Sequence, residues 1–497
     1  MTSSSKKMQL AAAGNAGGGF EDNYFMYSVK NGSVPQIFDP MIDPDTGDVV
    51  SISNRNSTTG ITVTKVSNDG TLAFSRKHTF TEATNFKSDQ SNGGVPRHSS
   101  LDSNGDIIVL SITEDTNDQE IVLSKFSGED GSLIWQKISA ARTYNTETNG
   151  NSMCVDGTDI YTIHMMYDGG NTTFNHGAGT VNAHWILIKY DSSGSIQFQK
   201  YFRESTFATS TTFRYGKHNQ MKVYGGKLYI VGRYNLTGTG NYAGGFSVDL
   251  SSFAVDDIIC VSGDRGATGI DFDDSGNIYL SAVNSTSPYE AGSPSSNFRV
   301  YKFGPTGSDD GLWYYWLNSP QANEATTGVR YLPDTDEVIA VGPFDELASS
   351  WYEQNDCTVI VNLDASNGSQ NFRRKLRLHN DERDYQVYGL DAKQSTFAVI
   401  QYASNTTNGS VVAVLPTDGT LTGSYSTGDT GFSRTVTYAD ETGGSTSTGS
   451  SITDVSRSGN WSLANLASNK NIYTTFSNTT GRSNTDVSSN VYVYDIP

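Results

Sequence analysis

The sequence predicts an all-β fold made of one radially repeated unit, on three observations. A strand motif recurs eight times at a spacing of about sixty residues. The composition suits short strands and tight turns, with 27 Tyr and 22 Phe among 50 Gly and abundant Ser, Thr, Asn and Asp. Each motif strand sits between turn signals in a grammar of four strands per repeat, and long helical patterns are hard to find. One such repeat cannot bury its own apolar faces, so neighbours must stack. Four-stranded units repeated around an axis describe the blades of a single β-propeller.

Taken in order, the motif reads Asp48-Val49-Val50-Ser51-Ile52, Asp106-Ile107-Ile108-Val109-Leu110, Asp159-Ile160-Tyr161-Thr162-Ile163 and Lys227-Leu228-Tyr229-Ile230-Val231. It continues as Asn277-Ile278-Tyr279-Leu280-Ser281, Glu337-Val338-Ile339-Ala340-Val341, Thr396-Phe397-Ala398-Val399-Ile400 and Asn471-Ile472-Tyr473-Thr474-Thr475. A third strand ends in Lys and an apolar or aromatic residue, as in Thr62 to Val66, Val122 to Phe126, Ile186 to Tyr190 and Val300 to Phe303. A fourth follows a glycine turn and ends in an aromatic: Gly70 to Phe74, Gly131 to Trp135, Gly194 to Phe198 and Gly368 to Phe372. The glycine supplies the positive φ that a tight hairpin requires, and the aromatic is a packing anchor.

The last repeat, Trp461 to Leu466, Asn471 to Phe476 and Val491 to Tyr494, lacks a fourth strand. Residues 24–30 offer one at the other end of the chain. An open ring would leave two exposed sheet edges, so eight blades closed by the N-terminal strand is the favoured arrangement. Seven blades plus a C-terminal hairpin is the alternative. The propeller then spans residues 23–497, with insertions at 165–183, 283–296 and 430–455. Residues 1–22 have no core of their own and read as an arm that orders against a partner.

The pattern VDxxGNIYLSA followed by VxKFDxxGxxxWxK, carried by Asn277 to Ala282 and Val300 to Phe303, resembles the repeat of SBBP-type and quinoprotein-like β-propellers. The resemblance covers residues ~36–497. Blades four, six and seven depart from it, with Val248-Asp249-Leu250, Val361-Asn362-Leu363 and Val412-Ala413-Val414-Leu415 where the lysine is expected. Blade seven carries Leu421-Thr422-Gly423-Ser424 in place of the aromatic strand. These departures weaken any inference of a shared ligand site.

The net charge is −19, from 34 basic and 53 acidic residues, which argues against nucleic acid or an anionic membrane as partner. The basic run Arg373-Arg374-Lys375-Leu376-Arg377 falls in a strand and reads as a solvated edge. Cys154, Cys260 and Cys357 are widely spaced and form no CxxC pair, so each reads as a small apolar side chain. No apolar run reaches membrane-spanning length, and the run after Lys6-Lys7 is too short for a signal peptide.

Candidate chemistry is sparse. His164, His176 and His184 lack metal-ligand spacing, so packing is the expectation and no metal is predicted. The turns Asp45 to Asp48, Asp102 to Asp106 and Asp273 to Gly276 suggest calcium, but none has the closing Glu of a calcium loop. Asp and Asn in such turns more often bond their own backbone. Trp313, Tyr314, Tyr315, Trp316 and Trp351 suit sugar stacking or, more commonly, blade packing. No nucleophile elbow, P-loop or dinucleotide fingerprint appears, so neither catalytic residues nor cofactors are predicted.

The arm is the better clue. Residues 6–19, with Lys6, Lys7, Met8, Leu10, Ala11, Ala12 and Ala13 as the expected partner-binding set, resemble the opening of virion structural proteins of tailed phages, especially those of marine cyanobacteria. That resemblance implies a virion component: a tail, fibre-base or capsid-decoration module. It would be present in several copies and docked by its arm to other virion structural proteins. A carbohydrate- or host-surface-binding propeller is the alternative, and a propeller enzyme ranks below both.

Overall fold

The computed structural model describes residues 24–29, 36–54, 60–80, 86–87, 99–114, 119–138, 152–167, 175–176, 179–180, 183–204, 221–236, 240–261, 264, 266–283, 298–318, 326–344, 357–378, 385–393, 395–403, 409–426, 435–442, 445–450, 452, 461–465, 482–486 and 491–496. Among them the regular elements are all strands, and they form a β-propeller of seven blades, not eight.

The first strand, β1 (Phe25–Val29), precedes blade one, which consists of β2 (Gln36–Ile42), β3 (Val49–Asn54), β4 (Gly60–Val66) and β5 (Leu72–Phe80). The two-residue β6 (Phe86–Lys87) joins blade two, built from β7 (Ser99–Leu101), β8 (Ile107–Glu114), β9 (Gln119–Phe126) and β10 (Leu133–Ile138). Blade three has β11 (Ser152–Asp156), β12 (Asp159–Tyr167), β15 (Ala183–Tyr190) and β16 (Ile196–Glu204), after a small hairpin of β13 (Asn175–His176) and β14 (Gly179–Thr180). Blade four has β17 (Met221–Tyr224), β18 (Lys227–Leu236), β19 (Gly240–Asp249) and β20 (Val255–Val261). Blade five has β21 (Gly266–Phe272), β22 (Ile278–Val283), β23 (Phe298–Gly304) and β24 (Gly307–Asn318). Blade six has β25 (Gly328–Leu332), β26 (Glu337–Phe344), β27 (Cys357–Asp364) and β28 (Gln370–Leu378). Blade seven has β29 (Tyr385–Lys393), β30 (Thr396–Ala403) and β31 (Gly409–Pro416), with β1 paired to β31 as its fourth strand.

Among the described residues there is no eighth blade. The C-terminal strands are instead distributed as outer strands over earlier blades, running back against the blade order. β32 (Gly423–Ser426) pairs with β33 (Thr435–Asp440), which lies on β28 of blade six. β34 (Ser445–Gly449) lies on β24 of blade five, and β35 (Trp461–Asn465) on β16 of blade three. β36 (Arg482–Asp486) lies on β5 of blade one, and β37 (Val491–Asp495) on β1 in blade seven. The expectation of an eighth, incomplete blade around Trp461, Asn471 and Val491 is therefore overturned, and the seven blades of the alternative are what is observed. Asn471 to Phe476 lie outside the described residues. The physical reason is an unmet need at the rim: a propeller's outermost strands present unpaired N–H and C=O groups, and a returning strand satisfies them. Residues 421–424 likewise do not form the fourth strand of blade seven, because β1 holds that place.

Seven apolar clusters mark the seams between blades. Met41, Val50, Phe74, Ile107, Val109 and Phe126 fill the seam of blades one and two. Phe25, Tyr27, Ile42, Val49, Val412 and Val414 lie between blades seven and one. The aromatic anchors behave as the sequence suggests, but each acts across a seam. A Cβ on the turn glycine of the next blade would meet Phe74 at 2.6 Å (Gly131), Trp313 at 2.6 Å (Gly368) and Phe372 at 2.7 Å (Gly419). Blade four inverts the arrangement. Phe253 occupies the glycine's place at φ 59° and meets Phe198 of blade three edge-on, with ring centroids 4.9 Å apart.

Candidate functional site

Register places seven equivalent residues on the innermost strands, each opposite the third residue of its blade's motif: Met41, Ser100, Cys154, Lys222, Asp271, Arg330 and Asp391. Blades one to three contribute uncharged side chains. Blades four to seven alternate in sign, as Lys222, Asp271, Arg330 and Asp391, and each charge meets its neighbour's. Lys222 Nζ donates to Asp271 Oδ1, and Asp271 Oδ2 accepts the Tyr331 N–H at 2.9 Å. Arg330 Nε donates to Asp391 Oδ1 at 2.9 Å, while Asp391 Oδ2 accepts the Ile42 N–H of blade one at 2.9 Å.

Burial pushes the Asp271 carboxyl up, but Lys222 and Arg330 more than offset this and hold it below the usual carboxylate range. All four oxygens of Asp271 and Asp391 accept hydrogen bonds, so the half-ring ties inner strands together. The Lys222 side chain is the most open of the set, at 41% exposed.

A second polar cluster lies at the passage from blade four to blade five. Asp264 is fully buried; it binds Arg299 Nη1 through Oδ1 and accepts the Tyr301 hydroxyl at 2.5 Å through Oδ2. Its backbone oxygen accepts the Ala243 N–H at 3.0 Å, and the Arg299 guanidinium stacks 4.4 Å from the Trp316 ring centroid. Burial raises the Asp264 pKa to about 6 against the pull of Arg299 and Tyr301. Sequence reasoning missed this cluster because Asp264 stands in a connection with no motif around it.

The Asp-rich turns are occupied by their own backbone and by the repeat lysines. Asp102 Oδ1 accepts the N–H groups of Asn104 and Asp106 at 2.9 and 3.0 Å, and its Oδ2 accepts Lys125 Nζ at 2.7 Å. Asp43 caps Asp45 and Thr46, with Lys65 held 2.9 Å from Asp48. Asp273 accepts the N–H groups of Ser275 and Asn277 and lies 3.5 Å from Lys302. The lysine of the third strand is thus the internal counter-ion of the first turn, a role its spacing alone did not reveal. Among the described residues no group of three or more His, Cys, Asp or Glu side chains could hold a metal ion.

The other candidates separate. His164 is buried and bonds Thr162 Oγ1 at 2.8 Å, while His176 and His184 fall in β13 and β15. Trp313 and Tyr315 are buried in the seam of blades five and six, Trp313 donating to the Ala365 oxygen at 2.9 Å. Tyr314 and Trp316 are half-buried against each other, and Trp351 lies outside the described residues. The run Arg373 to Arg377 is not a solvated edge, because β33 covers it: Arg374 pairs with Asp440, and Lys375 lies 3.8 Å from Glu441. Lys6, Lys7, Met8, Leu10, Ala11, Ala12 and Ala13 lie outside the described residues.

No protein-family model matches the chain, and no curated protein matches it. Solved structures similar to it include a putative 6-phosphogluconolactonase from Bacteroides uniformis, at 9% identity and TM-score 0.39, covering 79% of this chain and 97% of that one. A putative 6-phosphogluconolactonase from Bacteroides fragilis is similar at 10% identity and TM-score 0.35, covering 80% and 96%. A neuraminidase-like protein of A/little yellow-shouldered bat/Guatemala is similar at 8% identity and TM-score 0.34, covering 78% and 98%. Likeness of this degree assigns no activity to this chain.

Proposed function

We propose that this protein is a non-enzymatic structural component of a tailed-phage virion, a rigid tail, fibre-base or decoration module docked by its N-terminal arm to other virion proteins. Its resemblance to SBBP-type propellers is then one of scaffold, and the arm carries the placement in the particle. The observation that supports a structural role most directly is the outer strand set. Among the described residues, five of the seven blades carry a C-terminal strand on their outermost edge, and β1 lies between β31 and β37. We read β1 as the strand that closes the ring. Such a build invests chain in holding the scaffold together, and the charges on the innermost strands do the same from inside.

Deleting residues 1–19 tests the reading. The truncated protein is expected to fold with an unchanged unfolding midpoint yet fail to enter particles. Normal incorporation of the truncated chain would sink the docking role of the arm. Gold-tagged antibody against the chain, imaged on intact particles, tests the virion placement itself; unlabelled particles with labelled host cells would overturn it. A host-surface glycan reading draws on the uneven ends of the blades. One end is joined by tight turns such as 43–48 and 273–277, the other by connections running from Glu204 to Met221 and from Val283 to Phe298. Long connections on a rigid scaffold are where recognition is usually placed.

A further inference from the structure

We propose that the ring has a polarity in the particle: its tight-turn face is turned toward the virion body and meets a basic protein surface, while the long connections face outward. This rests on the virion reading above and adds to it which face makes the contact. The argument starts from the register of β1. Phe25 is opposite Val414 and Ser28 is opposite Val411, and β31 runs from Gly409 toward the tight turn that follows Pro416. The N-terminal end of β1 therefore lies at the tight-turn face. β37 is antiparallel to β1 with Asp495 opposite Phe25, and the Ile496 N–H donates to the Tyr24 oxygen at 3.0 Å. The arm thus joins the ring at the tight-turn face, on the rim of blade seven, beside the last described residues of the chain.

Covalent reach makes this placement matter. Between Ala13 and Tyr24 lie eleven peptide steps, which span at most about 38 Å even when fully extended. A ten-residue strand such as β18 is roughly 33 Å long. A partner that grips residues 6–13 while resting on the long-connection face would consume nearly all of that reach in crossing the rim. A partner on the tight-turn face needs none of it, and the tether raises its effective concentration there. The same face carries exposed carboxylates on the turns of six blades: Asp45, Glu129, Asp156, Asp274, Asp334 and Asp418. A surface of complementary sign, a basic one, is the partner such a face accepts without like-charge repulsion.

The test uses the full chain assembled into particles, with single cysteines introduced at the two faces and a maleimide reagent as probe. Glu129→Cys marks the tight-turn face at an exposed position. Ser445→Cys is exposed and lies opposite Asn318, at the long-connection end of β24. Rates are read against the parent chain, in the free protein and in purified particles. An interface that excludes solvent is expected to slow Glu129→Cys by about tenfold or more on incorporation and to leave Ser445→Cys within about twofold. Equal reactivity of the two, or protection of Ser445→Cys instead, would overturn the polarity while leaving the virion reading in place. Absence of the chain from purified particles would refute the virion reading and the polarity with it.

Discussion

Replacing Gly368 by Ala measures how much the seam between blades five and six depends on one missing methyl group. Gly368 has φ +73°, and a Cβ there would stand 2.6 Å from Trp313 Cε3 and 2.7 Å from Cδ2. The left-handed backbone costs a non-glycine residue about 1–2 kcal/mol. Trp313 has little room to yield, being 3% exposed and tethered by its Nε1 to the Ala365 oxygen. Forcing extra volume against such a side chain costs roughly 1–3 kcal/mol more. Gly157 supplies the control, since its φ is +59° but nothing lies within 4 Å of its Cβ position. Gly157→Ala therefore carries the backbone cost alone, and Gly368→Ala should exceed it by about 1–3 kcal/mol in urea unfolding. In a Trp313→Ala background most of that excess should disappear, since the ring that the new Cβ would meet is gone. Equal costs for the two glycines would refute the claim that the aromatic-on-glycine contact holds the seam.

Four further outcomes follow from the electrostatics. Lys125→Met strips a buried carboxylate of its counter-ion, since the Lys125 and Asp102 side chains are 6% and 1% exposed, and should cost about 3 kcal/mol in urea unfolding. Lys227→Met, at a largely exposed pair with Asp256, should cost less than about 1 kcal/mol by the same measurement. Asp264 holds its proton in the folded state up to about pH 6, whereas an unfolded Asp releases it near pH 4. Its contribution to stability therefore grows as pH falls through that window, and Asp264→Asn should remove that part of the slope when urea midpoints are compared from pH 4 to about pH 7. The turn carboxylates work in the opposite sense. Hydrogen bonds within their own turns hold Asp130, Asp191 and Asp364 below the ordinary Asp value. Their contribution is complete above about pH 4 and lost as pH falls further, so Asp191→Ala should flatten the acid limb of the midpoint profile.

Repeat grammar was legible because it is local. The motif Asn277 to Ser281 and its turn fall within a few residues, so alternation and turn chemistry specify β21, β22 and β23. The tail was misread because its strands obey the same local rules while their partners are remote. Val491 to Asp495 reads as a strand in any register, and nothing in those five residues says that β1 is the neighbour. A cue did exist: the tail lacks both the lysine of the third strand and the glycine-aromatic pair of the fourth, the two devices that make a blade. The charges of the innermost strands were invisible for a related reason. Lys222, Asp271, Arg330 and Asp391 stand about sixty residues apart, and only the superposed register of four repeats brings them into one layer.

The position of β1 also decides how the molecule would answer to force. A pull on residues ahead of Tyr24 acts along the axis of β1, which is hydrogen-bonded on one side to β31 and on the other to β37. Such a pull loads the bonds of both ladders together in shear, where a pull across the strand would part them one after another. The resistance of a stretched protein is governed by its unfolding rate, so what counts is how many bonds must fail at once. A strand gripped on both flanks resists tension along its own axis, so the ring would hold longest against a pull applied through the N-terminal end of β1.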